Sequence, residues 1–200
     1  MSLNEALVLE HLKKRLSEVT KGQFYIRTGY TMRLKARDLP QPEADLVLCP
    51  QNCGMRFTPL IAAEVKCIRT RGPFVSHSYY SGLDEAIALL RLGFDYVFLV
   101  HVVEYGILEH GLMYPRTVSA LIRDLGLPIG YIVYAVSVRG GKLRLYKRLG
   151  HDKELGSFWI GPRKNPLLDE GKILYKEVQG MRRSLVRDFK VYTFKEHKEG

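Results

Sequence analysis

Charged side chains set inside apolar strands are the strongest constraint in this sequence. They lie between Glu43 and Lys66, where Glu43-Ala44-Asp45-Leu46-Val47-Leu48 and Leu60-Ile61-Ala62-Ala63-Glu64-Val65-Lys66 flank a loop. The runs Leu46–Cys49 and Leu60–Val65 are rich in Leu, Val and Ile and bounded by Pro and Gly, which predicts two short buried strands. Asp45 stands where the first begins, and Glu64 and Lys66 stand two apart near the end of the second. Side chains two apart on a strand point to one face, so Glu64 and Lys66 share a face while Val65 turns the other way. Charged groups are seldom buried without a partner or a metal.

The rest of the composition narrows the class. A chain of 200 residues is long enough for one well-formed core. Its 46% hydrophobic and 26% charged residues are ordinary for a globular protein. A formal net charge of +10 and a pI near 9.5 favour a polyanionic partner, most often nucleic acid. The N-terminus is polar and shows no secretory pattern, and the most apolar run, Tyr96–Val103, is interrupted by His101 and far too short for a membrane span. Three cysteines, Cys49, Cys53 and Cys67, make an odd set without a disulfide framework, so the expectation is a cytoplasmic protein without a membrane role. Cys49 and Cys53, four apart, raise zinc, but no second Cys or His pair stands at a suitable spacing.

In chain order, Asn4 to Val19 predicts a helix capped by Asn4, with Leu9, Leu12, Leu16 and Val19 on one stripe. Glu5 shares that stripe and Glu10 projects away from it; Glu5 either reaches a site on a neighbouring sheet or simply complements the helix dipole. Phe24–Leu34 predicts a strand broken near Gly29, ending in the basic alternation Arg33, Lys35, Arg37. Ser81-Gly82-Leu83-Asp84 resembles a capping box opening a helix over Leu83–Leu92, which assigns Asp84 and Glu85 to cap and dipole. Tyr79 and Tyr80, just before it, suit either base stacking or packing. Asp95–Val103 predicts a strand, Tyr114-Pro115 a helix start, and Ile129–Val138 with Lys142–Lys147 a hairpin dense in base: Arg139, Lys142, Arg144, Lys147 and Arg148. His151–Gly200 is lower in regular pattern, with Met181–Lys190 a short basic segment. The division expected is a domain over 1–150 and a basic extension over 151–200 packed on it, and one mixed sheet flanked by helices is the simplest packing.

If Asp45 and Glu64 converge, their carboxylates repel, and a hard divalent cation relieves the repulsion. Lys66, on the face of Glu64, can orient or deprotonate a water or stabilise charge on a phosphate. Such a set suits in-line hydrolysis of a phosphodiester, with basic surfaces neutralising the rest of the strand.

Asp45, eighteen intervening residues and then Glu64-Val65-Lys66, each in an apolar strand, resemble the PD-(D/E)XK nuclease superfamily, the restriction-endonuclease-like fold. The resemblance covers roughly Asn4 to Val103 and implies an αβββαβ core. It further implies that Asp45, Glu64 and the carbonyl of Val65 hold Mg²⁺ (or Mn²⁺), with Lys66 as the catalytic lysine and Glu5 as the helical acid found in several branches, archaeal Holliday-junction resolvases among them. Ala44 departs from the pattern at the name-giving Pro position, which varies widely. The expected activity is metal-dependent hydrolysis of DNA, with structure selectivity left open and a homodimer expected by analogy with the fold. Arg69, Arg71, Tyr80, Arg139, Lys142 and Arg144 are the expected nucleic-acid contacts. The alternatives are a nuclease-like fold that binds nucleic acid without cutting it, and an interaction domain with no nucleic-acid role.

Overall fold

A strand buried on both faces reads as a nearly continuous apolar run, and Tyr96–Glu104, broken only by His101 before its terminal Glu104, is such a strand at the centre of the sheet. In a computed structural model of the protein, residues 4–31, 43–51, 59–71, 74–75, 81–139, 142–146 and 158–196 are described. The chain forms α1 (Glu5–Val19), β1 (Phe24–Thr31), β2 (Glu43–Pro50) and β3 (Ile61–Ile68), then a two-residue hairpin of β4 (Thr70–Arg71) and β5 (Phe74–Val75). There follow α2 (Leu83–Arg91), β6 (Tyr96–Glu104), a one-turn α3 (Leu108–Gly111), α4 (Met113–Asp124), β7 (Ile129–Arg139), β8 (Lys142–Tyr146) and α5 (Tyr175–Glu196). The sheet order is β1-β2-β3-β6-β7-β8. β3, β6 and β7 are parallel, while β1–β2, β2–β3 and β7–β8 are antiparallel. This is a mixed α/β architecture with the expected αβββαβ order at its core.

Helices cover both faces. On one, Val8 and Leu12 of α1 pack with Leu46, Ala63, Val65, Cys67, Val100 and Val102. On the other, Leu83, Ala86, Leu89 and Leu90 of α2, Val118 and Ile122 of α4, and Leu185 and Phe189 of α5 close over Ala62, Ile68, Val97, Leu99 and Tyr131. Asn4 caps α1 as expected, its Oδ1 accepting from the Ala6 N–H at 3.0 Å. Val19 is 73% exposed although it shares the line of Leu12, so the sheet no longer underlies the last turn. Among the described residues, no helix is long and apolar enough to cross a membrane.

Several expectations need correction. The focal strands run further than their apolar stretches, so Asp45, Glu64 and Lys66 lie within strands and not at their ends. No capping box opens α2: its N-cap is Gly82, at φ +84°, with no side-chain cap hydrogen bond. α4 begins at Met113, before Pro115, after a short helical passage from Tyr105 that the sequence did not suggest. The largest correction is α5, 22 residues of helix in a stretch read as low in regular structure.

The C-terminal stretch is tied to the amino ends of β3 and β6. Asn165, fully buried, donates from Nδ2 to the Leu90 and Phe94 carbonyls at 2.7 and 2.8 Å. Asp95 Oδ2 accepts from the Leu60 N–H at 2.7 Å and from Arg182 Nη2 at 2.8 Å, with both side chains 12% exposed. Arg182 Nη1 also donates to the Gly93 carbonyl at 2.6 Å. Removing one partner of a buried pair strands the other charge. Asp95→Ala is therefore expected to lower unfolding free energy by about 3–5 kcal/mol in urea titrations; a loss below about 1 kcal/mol would show that the link is incidental.

Candidate active site

The site grows out of a break in the strand alternation. Val47 and Cys49 face the α2 side and Leu46 the α1 side, as alternation requires, yet Ala44 packs on the α2 side as well. Across the ladder, Tyr25 and Tyr30 share the α2 side although their parity differs. Both strands slip at one level, where Gly29 in the left-handed region (φ +58°) stands opposite Asp45. A Cβ on Gly29 would come within 3.3 Å of Glu43 Oε1.

The slip frees Asp45 from either face. The β2–β3 ladder pairs Leu48 with Ile61, Val47 with Ala62 and Leu46 with Ala63. One step on, the register sets Asp45 opposite Glu64, and there the Asp45 carboxylate replaces the backbone: Oδ2 accepts from the Val65 N–H at 2.7 Å. Glu64 lies on the α2 face, its side chain only 6% exposed. Burial and then the neighbouring Asp45 carboxylate raise its pKa to about 8, against the lowering effect of Lys66.

Lys66 Nζ sits 2.6 Å from Glu64 Oε1 and 3.1 Å from Glu85 Oε1. Burial alone would lower its pKa, but the hydrogen bonds and charges of Glu64, then of Glu85, outweigh that and raise it. The two partners respond unequally because Lys66 has two acids around its ammonium, whereas Glu64 has a second acid beside it and little water. Lys66 therefore stays protonated. Its stem crosses the start of α2, where a Cβ on Gly82 would fall 2.8 Å from Lys66 Cγ.

Glu5 joins from the other face. Burial first, then Asp45, raises its pKa, with Lys66 and Arg69 opposing, although the residue as a whole is exposed. Glu10 points elsewhere and accepts from Thr28 Oγ1 at 3.3 Å. Cys67, buried beside these acids, is pushed up to about 12, chiefly by burial.

The structure thus brings together Asp45, Glu64, Lys66, Glu5 and the backbone of Val65, with Arg69 nearby and exposed. Arg144 is not part of this group: it is exposed on β8, three strands from β3 or roughly 14 Å along the sheet. Arg71 lies in β4, and Arg139 pairs with Lys142 at the tip of the β7–β8 hairpin, which shares the carboxyl end of the parallel strands with Lys66. Tyr79, Tyr80, Lys147, Arg148, Cys53 and the Arg33–Arg37 alternation lie outside the described residues. Cys49 and Cys67 are buried free thiols.

Glu85, expected to serve the helix dipole, also pairs with Lys66. Behind it, Tyr131 and His101 brace the start of α2. Burial raises the Tyr131 pKa well above its usual value, keeping the hydroxyl protonated, and it lies 2.7 Å from His101 Nδ1. His101 Nε2 donates to the Ser81 carbonyl at 2.9 Å, which sets the neutral tautomer when Tyr131 donates to Nδ1.

No protein-family model matches the chain, and no curated protein matches it. Among solved structures, SfsA of Pyrococcus furiosus in complex with Ca²⁺ is similar at 12% identity and a TM-score of 0.36, over 73% of this chain. The chain spans 63% of that chain's length. A likeness this loose carries no inference about ligand or activity.

Because folded Glu64 holds its proton to higher pH than an unfolded glutamate, its contribution to stability is full below pH 4.5 and is lost as pH rises towards about 8. In chelator-treated protein, Tm is expected to fall between pH 5 and pH 8, and Glu64→Gln to flatten that slope. An unchanged slope in Glu64→Gln would show that Glu64 is not the strained group.

Proposed function

We propose that this protein is a divalent-cation-dependent nuclease of the PD-(D/E)XK superfamily acting on DNA. The supporting observation is the juxtaposition of Asp45 and Glu64 at the end of the β2–β3 ladder, with Asp45 hydrogen-bonded to Val65. Among the described residues, no group of three or more His, Cys, Asp or Glu side chains is arranged to hold a metal ion. Mg²⁺ asks for less: one or two carboxylates, with water and substrate oxygens completing its octahedron. Asp45 and Glu64 fit that demand, and burial together with the facing Asp45 carboxylate raises the Glu64 pKa. The Val65 carbonyl leaves the strand on the same edge as its N–H, towards Asp45, and is the third oxygen of the set. When bound, Mg²⁺ or Mn²⁺ supplies Lewis acidity towards a phosphate oxygen and the attacking water.

The chain's own residues do the rest. Lys66, held between Glu64 and Glu85, acts as a donor to the charge that builds on the phosphate. Glu5 approaches from the α1 side and orients water at the Asp45 edge. Arg69 and the hairpin carrying Arg139 and Lys142 stand at the same end of the sheet, where they hold flanking phosphates. Glu64 stands midway along β3, and Lys66 and Arg69 lie towards its carboxyl end, the side of open α/β sheets on which ligands bind.

Purified protein incubated with plasmid, single-stranded and branched DNA is expected to cut at least one of them only when Mg²⁺ or Mn²⁺ is present. Glu64→Ala and Lys66→Ala are each expected to reduce the rate by about a hundred-fold or more. No cleavage of any substrate, or cleavage retained by both variants, would overturn the proposal; salt-sensitive binding without turnover would leave a nucleic-acid-binding protein. Glu5→Gln is expected to lower the rate more than Glu10→Gln, and the reverse order would remove Glu5 from the site.

A further inference from the structure

Glu85 lies outside the Asp45 and Glu64-Val65-Lys66 pattern, yet its carboxylate grips the same ammonium. Lys66 Nζ spans the two acids, 2.6 Å from Glu64 Oε1 and 3.1 Å from Glu85 Oε1. A cation placed on Glu64 meets an ammonium already on that carboxylate. Even on the other oxygen, Oε2, a cation would stand a few ångströms from that ammonium, and the two positive charges repel. Moving Lys66 off Glu64 relieves that repulsion.

We propose that Glu85 is a positioning residue, the second seat onto which Lys66 moves its ammonium when Glu64 takes up a divalent cation. This rests on the cation reading of Asp45 and Glu64 above. Glu85 Oε2 is buried without a hydrogen bond of ordinary geometry among the described residues, its nearest acidic neighbour is the Asp84 carboxylate, and the side chain as a whole is 44% exposed. A buried carboxylate oxygen without a donor is costly. An ammonium that swings fully onto Glu85 satisfies it while freeing Glu64 Oε1, and its three donors allow both Glu85 oxygens to be used.

The seat is fixed in place by the fold. Gly82 lets the stem of Lys66 pass against the first residues of α2, where a side chain would collide with both Lys66 and Leu99 Cδ1. His101, itself hydrogen-bonded to Tyr131, holds the Ser81 carbonyl just ahead of that turn. Glu85 therefore presents its carboxylate from a braced first turn, within reach of Lys66 in either position.

A carboxylate near a cation also attracts it through space, so the test must separate that field from an effect passed through Lys66. A double-mutant cycle does so, with Mn²⁺ binding measured by calorimetry on wild type, Glu85→Gln, Lys66→Met and the double variant. Glu85→Gln is expected to weaken Mn²⁺ binding about tenfold when Lys66 is present, because the ammonium is then left on Glu64 alone. Lys66→Met is expected to bind Mn²⁺ at least as tightly as wild type, and adding Glu85→Gln to it to change binding by less than about twofold. Equal weakening in both backgrounds would reduce Glu85 to a distant charge and overturn the proposal, as would no weakening in either. Wild-type protein that binds no Mn²⁺ would overturn the cation reading itself, and this inference with it.

Discussion

Past Leu46 and Ala63 the β2–β3 ladder stops, and the N–H of Val65 would be left unpaired in the interior if Asp45 did not accept it. A carboxylate in place of a backbone carbonyl brings negative charge between two inner strands of the sheet, at a point that would otherwise be neutral. The same register step sets Glu64 opposite, on a face closed by α2. Two acids are then held close with little water between them, and the rise in the Glu64 pKa is the electrostatic consequence. Lys66 relieves that tension only in part, since it answers to Glu85 too.

The rest of the fold keeps this point in position. Gly29 absorbs the slip in β1 that matches the one at Asp45, and Gly82 lets α2 approach Lys66. At the far end of the same strands, the Asp95 and Arg182 pair and the buried Asn165 bind the C-terminal stretch to the turns around Leu60 and Phe94. The two regions differ: at the amino ends charge is neutralised and hydrogen-bonded, whereas midway along β3 Glu64 shares Lys66 with Glu85 and stands opposite Asp45.

Asp45, Glu64 and Lys66 were legible because a charge within an apolar strand is rare enough to stand out in one sequence. Glu5 was legible through helical periodicity, which placed it on the stripe facing the sheet. Glu85 was not, since an acid in the first turn of a helix is commonplace and nothing local separates a dipole partner from a residue that reaches across to a strand. The coincidence of the slips at Gly29 and Asp45 was hidden for a related reason: a glycine announces freedom of φ without saying which residue on the next strand it stands beside. α5 was missed because its buried line, Val178, Leu185 and Phe189, is narrow and diluted by arginines, one of which, Arg182, is itself part of the packing. The mixed sheet, by contrast, followed from strand and helix order alone, since parallel neighbours need a crossover and antiparallel ones a short turn.

Anomalous diffraction from crystals grown with Mn²⁺ tests directly whether Asp45 and Glu64 hold a divalent cation. The expected result is a peak between those two carboxylates, within coordination distance of the Val65 carbonyl, with the Lys66 ammonium displaced from Glu64. A map in which Lys66 still rests on Glu64 and no manganese lies between the two acids would contradict it.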